Sequence, residues 1–194
     1  MITRKDYRAN LKLVRRFLHV PGAIVECGTW KGGMSAGMAS VLGKDREYFL
    51  YDSFEGLPEA KLIDGEAALQ WQADKNSSYY HANCTASADD ARLAMSSVGV
   101  ANPSIVKGWF EQTLPHAKFQ QGIAILRMDG DWYDSTMCIL NHLFPQVNAG
   151  GCIIIDDYHC WEGCAKAAHD FLSQGQRPEG VNTFDNIVAY IVKR

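Results

Sequence analysis

The sequence has no excess of positive charge and no long hydrophobic run. Its 19 Lys and Arg residues are outnumbered by 22 Asp and Glu residues, and the basic residues are scattered, so nucleic acid is not an expected partner. No apolar stretch approaches the roughly 20 residues that span a bilayer. The segment from Met1 to Phe17 is amphipathic and charged and lacks the apolar core of a signal peptide. We therefore predict a cytoplasmic protein with no membrane partner.

The six cysteines lack the paired C-x-x-C spacing of common metal and redox motifs. Cys160 and Cys164 beside His159 could suggest zinc, but a structural zinc site takes four soft ligands and the sequence shows no second pair. The cysteines are Cys27, Cys84, Cys138, Cys152, Cys160 and Cys164. We predict that all of them are free thiols.

No internal repeat, low-complexity tract or long linker divides the sequence. A length of 194 residues suits one domain, and a hydrophobic content of 47% is ordinary for a globular core. We therefore predict a single domain over residues 1–194.

Apolar runs alternate with amphipathic segments, a pattern that predicts an α/β fold with a mostly parallel sheet covered on both faces. The predicted strands lie near Ala23 to Cys27, Tyr48 to Asp52, Ser104 to Gly108, Ile123 to Met128 and Cys152 to Ile155. The predicted helices are Met34 to Leu42, Ala86 to Val98, Ser135 to Phe144 and Cys164 to Ser173.

Two segments depart from this alternation. Arg177 to Phe184 and Asn186 to Lys193 follow each other with a short break, so we predict a closing antiparallel hairpin. Residues 59–83 are polar with interspersed aromatics, and we interpret them as an insertion that serves as a lid over a site.

The first predicted strand passes directly into a glycine-containing loop. Glu26, Gly28, Thr29 and Gly32 lie between the strand and the helix that follows. Glycines let a backbone approach a ligand closely, and the helix start offers free N–H groups. The loop is neither G-x-G-x-x-G nor a P-loop, so a plain strand-to-helix turn is the alternative. We place all four residues at a cofactor, with Glu26 facing the amino group of an amino-acid-bearing ligand.

The second predicted strand ends in Asp52 and Ser53. A carboxylate at this position, after a glycine loop, suits hydrogen bonds to two ribose hydroxyls, although Asp52 could instead cap the turn that follows. Loop and acid together indicate a nucleoside cofactor, either NAD or S-adenosylmethionine. Trp109 and Phe110 either border the adenine of that cofactor or pack in the core.

Four aspartates follow the last two apolar runs of the predicted parallel sheet: Asp129 and Asp131 come after one run, and Asp156 and Asp157 after the other. The ends of parallel strands meet at one edge of the sheet, and carboxylates crowded there repel each other, so the cluster calls for a cation or protons. A hard divalent metal is the simplest solution.

Four nearby residues receive secondary roles. His159 is a candidate auxiliary base or acceptor contact, with an ordinary loop histidine as the alternative. Trp161 is a candidate wall of the same pocket. Asp134 and Ser135 are predicted to cap the helix after the Asp129 loop, since Asp and Ser satisfy free helical N–H groups.

Four stretches together resemble the macrocin O-methyltransferase (TylF-type) family. They run from Gly22 to Gly33, from Tyr51 to Pro58, from Leu126 to Thr136 and from Gly150 to Tyr158. The resemblance implies a Rossmann-like class I methyltransferase fold and an enzyme that uses S-adenosylmethionine and magnesium to methylate hydroxyls, notably on sugars of antibiotics. The segment before Gly22 is shorter than in the antibiotic-sugar members, so the acceptor, and whether the protein is a homo-oligomer, stay open.

The resemblance also implies residue roles. Asp129, Asp156 and Asp157 would ligate Mg²⁺, with Mn²⁺ or Ca²⁺ as alternatives, and Asp129 would also border the cofactor. Asp131 would be the base. The sequence-based expectation is thus a metal-dependent O-methyltransferase acting on a hydroxyl of a sugar or another polyhydroxylated natural product. A metal-dependent hydrolase, a nicotinamide-dependent oxidoreductase and a non-catalytic binding protein are the competing interpretations.

Overall fold

A seven-stranded sheet organises the chain, which the computed structural model describes over residues 2–194. The strands are β1 (Ala23–Cys27), β2 (Tyr48–Asp52), β3 (Ser104–Lys107), β4 (Ile123–Met128), β5 (Val147–Ile155), β6 (Asn182–Phe184) and β7 (Val188–Val192). Their order in the sheet is β3-β2-β1-β4-β5-β7-β6. Strands β1 to β5 pair in parallel, and β7 pairs antiparallel with both β5 and β6. The predicted hairpin is therefore confirmed.

Helices cover both faces of this sheet. They are α1 (Arg4–Arg15), α2 (Gly33–Leu42), α3 (Glu66–Ala73), α4 (Ala88–Ser97), α5 (Phe110–Thr113), α6 (Tyr133–Leu143) and α7 (Glu162–Gln174). Because side chains alternate along a strand, each central strand feeds two cores. Ile24 packs in the core that includes α1, α2 and α4, whereas its neighbour Val25 packs in the core that includes α6 and α7.

The strand order reverses between β1 and β4. From β1 the chain moves outward to β2 and β3, then returns to β4 and continues in the opposite direction to β5. Loops after β1 and β4 diverge at such a point and leave a crevice at the carboxyl ends of the strands, where open α/β sheets bind their ligands. The glycine loop and all four predicted aspartates lie at this edge.

Several sequence-based details differ from the structure. Strand β6 covers Asn182–Phe184 and not the whole predicted range from Arg177 to Phe184. Strand β5 begins at Val147 and not at Cys152, because a polar and glycine-rich start hid the paired residues from the hydrophobic pattern. The prediction that Asp134 and Ser135 cap a helix is wrong. Helix α6 starts earlier, with Trp132 at its N-cap and no side-chain cap from that residue. Asp64 caps the helix from a distance, since its Oδ1 accepts the Tyr133 N–H at 2.7 Å.

Residues 59–83 form α3 and flanking turns that are held against α6. The Trp132 indole N–H donates to the Pro58 carbonyl at 2.9 Å, and Lys61 pairs with Asp134 at 2.5 Å. These contacts place the polar segment against α6. Across residues 2–194, none of the helices has the length and apolar character needed to cross a membrane.

Candidate functional site

A cavity of about 1070 Å³ opens at the carboxyl edge of the sheet. This volume slightly exceeds the roughly 300–1,000 Å³ typical of ligand pockets, so it offers room for more than one small molecule. Nearly all the residues singled out from the sequence line it: Glu26, Gly28, Thr29, Asp52, Ser53, Trp109, Phe110, Asp129, Asp131, Asp156, Asp157, His159 and Trp161. Gly32 does not.

Glycine is required where β1 leaves the sheet. Gly28 has a φ of +85°, and a Cβ at this position would lie 1.7 Å from the carbonyl oxygen of Asp129. The chain can therefore pass close to the end of β4, which brings the glycine loop and the carboxylates together. Gly32 serves a different contact, since a Cβ there would meet the Ala91 Cα of α4 at 2.8 Å. Its place is in the packing between α2 and α4 and not at the cavity wall.

Glu26 is buried beneath the loop and its two carboxylate oxygens are both engaged. One oxygen accepts from Arg127 at 2.7 Å, and the other accepts from the hydroxyls of Thr29 and Ser35. Burial raises the pKa of Glu26, and the Arg127 guanidinium opposes that rise. Glu26 thus fixes the loop and the arginine. Direct contact with the amino group of a ligand stays a prediction.

Asp52 is held by the backbone on both sides. Its Oδ2 accepts the Trp30 N–H and its Oδ1 accepts the Phe54 N–H, each at 2.7 Å. The second bond is the turn-capping role considered from the sequence, and it coexists with exposure to the cavity. Burial raises the pKa of Asp52 and these backbone hydrogen bonds counteract the rise. A carboxylate oxygen has more than one lone pair, so both oxygens can still accept hydroxyl groups of a ligand.

Asp129, Asp156 and Asp157 come together as predicted, with one oxygen of each within 4.8 Å of the others. The sequence analysis did not identify Arg127, which lies beside them. Arg127 lies buried on β4 and pairs with Asp129 at 2.8 Å and with Asp156 at 2.6 Å, besides Glu26. The cluster therefore already contains one internal cation.

The three carboxylates can nevertheless hold a metal ion. Arg127 contacts the Oδ2 atoms of Asp129 and Asp156, and the Oδ2 atom of Asp157 accepts the Asp131 N–H at 3.0 Å. One oxygen of each residue thus stays available, and an all-carboxylate set suits a hard ion such as Mg²⁺ that keeps further positions for water or substrate. The donor chemistry fits a divalent metal, with Arg127 reducing the negative charge that the ion must offset.

Asp131 is positioned by its backbone and by one indole. Its φ is +57°, a left-handed conformation that is uncommon outside glycine, and its Oδ1 accepts the Trp161 N–H at 2.9 Å. Burial, reinforced by the charge of Asp129, raises the pKa of Asp131 to about 7. Burial also raises the pKa values of Asp156 and Asp157, and neighbouring carboxylates add to both increases. Burial is thus the main cause of the raised pKa values in this half of the cavity, and the like charges of neighbouring carboxylates add to it.

The remaining predicted residues line the cavity more loosely. His159 is exposed and stacks edge-on against Tyr158, with ring centroids 5.0 Å apart. Trp109 and Phe110 are half-buried, and Phe110 packs against the core on the α6 side, which is the core-packing alternative considered from the sequence. Contact of either ring with an adenine stays a prediction. Ser53 accepts the Glu55 N–H and donates to the Gly56 carbonyl, which shapes its own turn.

An aromatic cluster above the carboxylates was also missed. Trp161 lies edge-to-face with Trp132 at 5.4 Å and with Trp71 of α3 at 6.1 Å between ring centroids. Trp71 also contacts Tyr80 at 5.4 Å. These rings come from three separate segments of the chain, so no local sequence pattern predicted that they would be in contact.

A family model described as Macrocin-O-methyltransferase (TylF) matches residues 5–193. Among curated proteins, the chain is 33% identical over 158 residues to the mycinamicin III 3''-O-methyltransferase of Micromonospora griseorubida, covering 78% of this chain and 61% of that protein. It is 32% identical over 180 residues to the demethyldecarbamoylnovobiocin O-methyltransferase of Streptomyces niveus, covering 89% and 66%. The chain thus spans less than two thirds of the length of these relatives.

Among solved structures, the O-methyltransferase NovP superposes with a TM-score of 0.79 at 27% identity, covering 95% of this chain and 79% of that one. The calicheamicin methyltransferase CalS11 superposes with a TM-score of 0.69 at 22% identity, covering 97% and 78%, and supports the fold alone. The fold is that of class I methyltransferases, which confirms the expected Rossmann-like architecture.

Proposed function

The chain belongs to the macrocin-O-methyltransferase (TylF) family, and on that premise we propose that it transfers a methyl group from S-adenosylmethionine to a hydroxyl of a small polyhydroxylated molecule with the help of a divalent metal. The observation that carries the proposal is a single cavity lined by both Asp52, at the end of β2, and the carboxylates Asp129, Asp156 and Asp157. A methyl transferase that activates a hydroxyl uses both halves.

On the cofactor side, the residues of the chain bind and orient. Asp52 accepts the ribose hydroxyls, held in place by the N–H groups of Trp30 and Phe54. The turn at Gly28 keeps the backbone close to the ligand, and Trp109 borders the base. Such positioning supplies much of the acceleration in a transfer whose donor is already activated.

On the acceptor side, the residues hold charge and move a proton. Asp129, Asp156 and Asp157 would hold the metal, preferably Mg²⁺. When bound, S-adenosylmethionine supplies an activated methyl group, and the metal supplies the Lewis acidity that lowers the pKa of a hydroxyl. Asp131 accepts the hydroxyl proton on its carboxylate, which the Trp161 indole orients. His159 stands at the rim as a contact for the acceptor.

We assign residues 59–83 the role of a lid. Trp71 and Tyr79 of this segment line the cavity, and contacts from Lys61 and Asp64 tie it to α6. A lid excludes water from the donor and aligns it with the nucleophile.

The competing functions leave part of the cavity unused. A metal-dependent hydrolase would need the carboxylates but not Asp52 and the glycine turn. A nicotinamide oxidoreductase would need Asp52 and the glycine turn, and it would have no catalytic or binding role for the three carboxylates and Arg127. Calorimetry with S-adenosylmethionine and with NAD separates these functions. We expect binding of S-adenosylmethionine alone; binding of NAD alone would favour the oxidoreductase, and binding of neither the hydrolase.

A further inference from the structure

We propose that Asn10 of α1 holds the amino group in the methionine part of S-adenosylmethionine, so that the N-terminal helix is part of the cofactor site. This inference rests on the proposed methyl transfer and goes beyond it, because none of the residues predicted to bind a ligand lies in α1. It follows from one buried oxygen atom and from the position of α1 beside the glycine loop.

Helix α1 lies against the start of α2, directly after the glycine loop. The Tyr7 hydroxyl donates to the Gly33 carbonyl at 3.5 Å, and a Cβ on Gly37 would overlap the same hydroxyl, so α2 leaves room for Tyr7. Asp6 and Asn10 line the cavity together with Tyr7 and Gly33. Helix α1 therefore reaches the cavity on the side of the glycine loop.

The side chain of Asn10 is buried and only half of its amide is used. Asn10 is 1% exposed, and its Nδ2 donates to the Asp6 carbonyl at 3.0 Å. Within residues 2–194, no group donates to its Oδ1. A buried acceptor without a donor is costly, so this oxygen calls for a hydrogen-bond donor from a bound molecule.

The surroundings of this oxygen favour a donor with positive charge. Asp6 lies one helical turn before Asn10, so the two side chains share a face of α1. Asp6 is half-buried, and its Oδ2 accepts the Thr3 hydroxyl at 2.7 Å. An amide oxygen beside a carboxylate repels an anion and forms its strongest hydrogen bonds with a cation.

One group of the cofactor meets this requirement. S-adenosylmethionine has donors on its adenine, on its ribose and on its α-amino group. The proposed function gives the ribose to Asp52 and the base to Trp109, which leaves the α-amino group for Asn10. It is also the donor of the three that is positively charged.

The carboxylate of the same amino acid has a complement close by. Helix α2 begins at Gly33, and its N-cap residue Gly32 makes no side-chain hydrogen bond to the first turn. N–H groups of an uncapped first turn attract an anion. An acceptor on α1 and donors on α2 thus match the two charges of an amino acid.

Glu26 is the alternative site for the amino group and is less suited than Asn10. Its two carboxylate oxygens already accept from Arg127, Thr29 and Ser35. A ligand would have to displace one of these donors, and displacement of Arg127 would leave a buried cation with less counter-charge. Glu26 therefore fixes the loop, while Asn10 contacts the ligand.

The test removes the amino group from the ligand and the oxygen from the protein. Calorimetry gives dissociation constants for S-adenosylhomocysteine and for its deaminated analogue, in which hydrogen replaces the amino group. We expect the unmodified protein to prefer S-adenosylhomocysteine by about tenfold or more, as for a hydrogen bond to a charged group. Asn10→Leu keeps the approximate size, and it should lower this preference by about fivefold or more while binding the analogue normally.

Asn182→Leu is the matched control. It makes the same change on the exposed strand β6, where the Asn182 Nδ2 donates to the Gly180 carbonyl at 3.2 Å, and it should retain the full preference. Asn10→Ala, which is smaller and favours a helix, repeats the measurement if Asn10→Leu does not fold. Asp6→Asn removes the neighbouring charge and should lower the preference by a smaller factor.

The possible results are distinct. A full preference in a folded Asn10 variant would overturn the inference, because the oxygen would then be satisfied by an ordered water and the amino group held elsewhere, as at Glu26. Equal affinities of the unmodified protein for the two ligands would also overturn it. Absence of S-adenosylhomocysteine binding to the unmodified protein would instead refute the proposed function.

Discussion

The two halves of the cavity are built by different means. Around Asp52 the site is shaped by the backbone. Gly28 lets the ends of β1 and β4 approach each other, and N–H groups from two loops hold the Asp52 carboxylate. Around Asp156 charged side chains dominate, with Arg127 placed among three acids and Asp131 held by an indole. The first half depends on chain geometry, and the second depends on charge balance.

This difference predicts how each half fails. Loss of a side chain on the backbone-built half should weaken a ligand and spare the remaining architecture. Loss of a charge on the other half should unbalance its neighbours, because desolvated carboxylates without a counter-charge are costly. The variants below are ordered by the size of the expected effect.

Arg127→Met should produce the largest loss of stability. It removes the cation shared by Glu26, Asp129 and Asp156, and removal of one partner from a buried ion pair costs about 3–5 kcal/mol. Urea denaturation measures the free energy of unfolding. Arg127→Lys is the control and should lose less, since it retains the charge. A loss below about 1 kcal/mol in Arg127→Met would show that the carboxylates do not need this cation.

Gly28→Ala tests the geometric half. The positive φ alone costs about 1–3 kcal/mol for a non-glycine residue, and the contact with the Asp129 carbonyl adds to it. Gly150→Ala is the matched control, because Gly150 has a φ of +79° with nothing within 4 Å of the added Cβ. Thermal unfolding should show a clearly larger fall for Gly28→Ala. Equal losses in the two variants would mean that the close approach of β1 and β4 contributes little.

Asp52→Ala should weaken S-adenosylmethionine by about 1–3 kcal/mol, the range for a lost charged hydrogen-bond acceptor. Calorimetry gives the dissociation constant. Asp52→Asn keeps one acceptor and the shape of the side chain, so it should lose less affinity. If Asp52→Ala leaves the dissociation constant unchanged, Asp52 serves only the turn at Phe54 and the ribose assignment is wrong.

Trp161→Phe should have the smallest effect, about 1 kcal/mol in the activation free energy, because it removes one hydrogen bond to Asp131 and retains the aromatic packing. We expect kcat to fall while KM stays nearly constant. Trp71→Phe, whose indole donates to the Tyr79 carbonyl instead, should leave kcat higher than Trp161→Phe does. An equal fall in both variants would assign the effect to packing.

The sequence predicted most of the fold because its signals are local. The five parallel strands are apolar runs, and Asp52, Asp129 and Asp156 come directly after or at the end of such runs. Contacts between distant segments were not predictable in the same way. In the sequence, Arg127 is one polar residue within an apolar run. Its partner becomes visible only in the register of β1 and β4, which places Arg127 beside Glu26. Asp64 caps α6 from 69 residues away, which no local capping pattern reveals.

The central claim is that one half of the cavity binds the cofactor and the carboxylate half binds the metal. Asp156→Ala tests this claim most directly. Methyl transfer and the dissociation constant of S-adenosylmethionine are measured on the same preparation, with and without Mg²⁺. We predict that transfer falls at least a thousandfold while the dissociation constant of S-adenosylmethionine stays within about twofold. Retained transfer in Asp156→Ala, or equal activity of the unmodified protein in saturating chelator, would contradict the account.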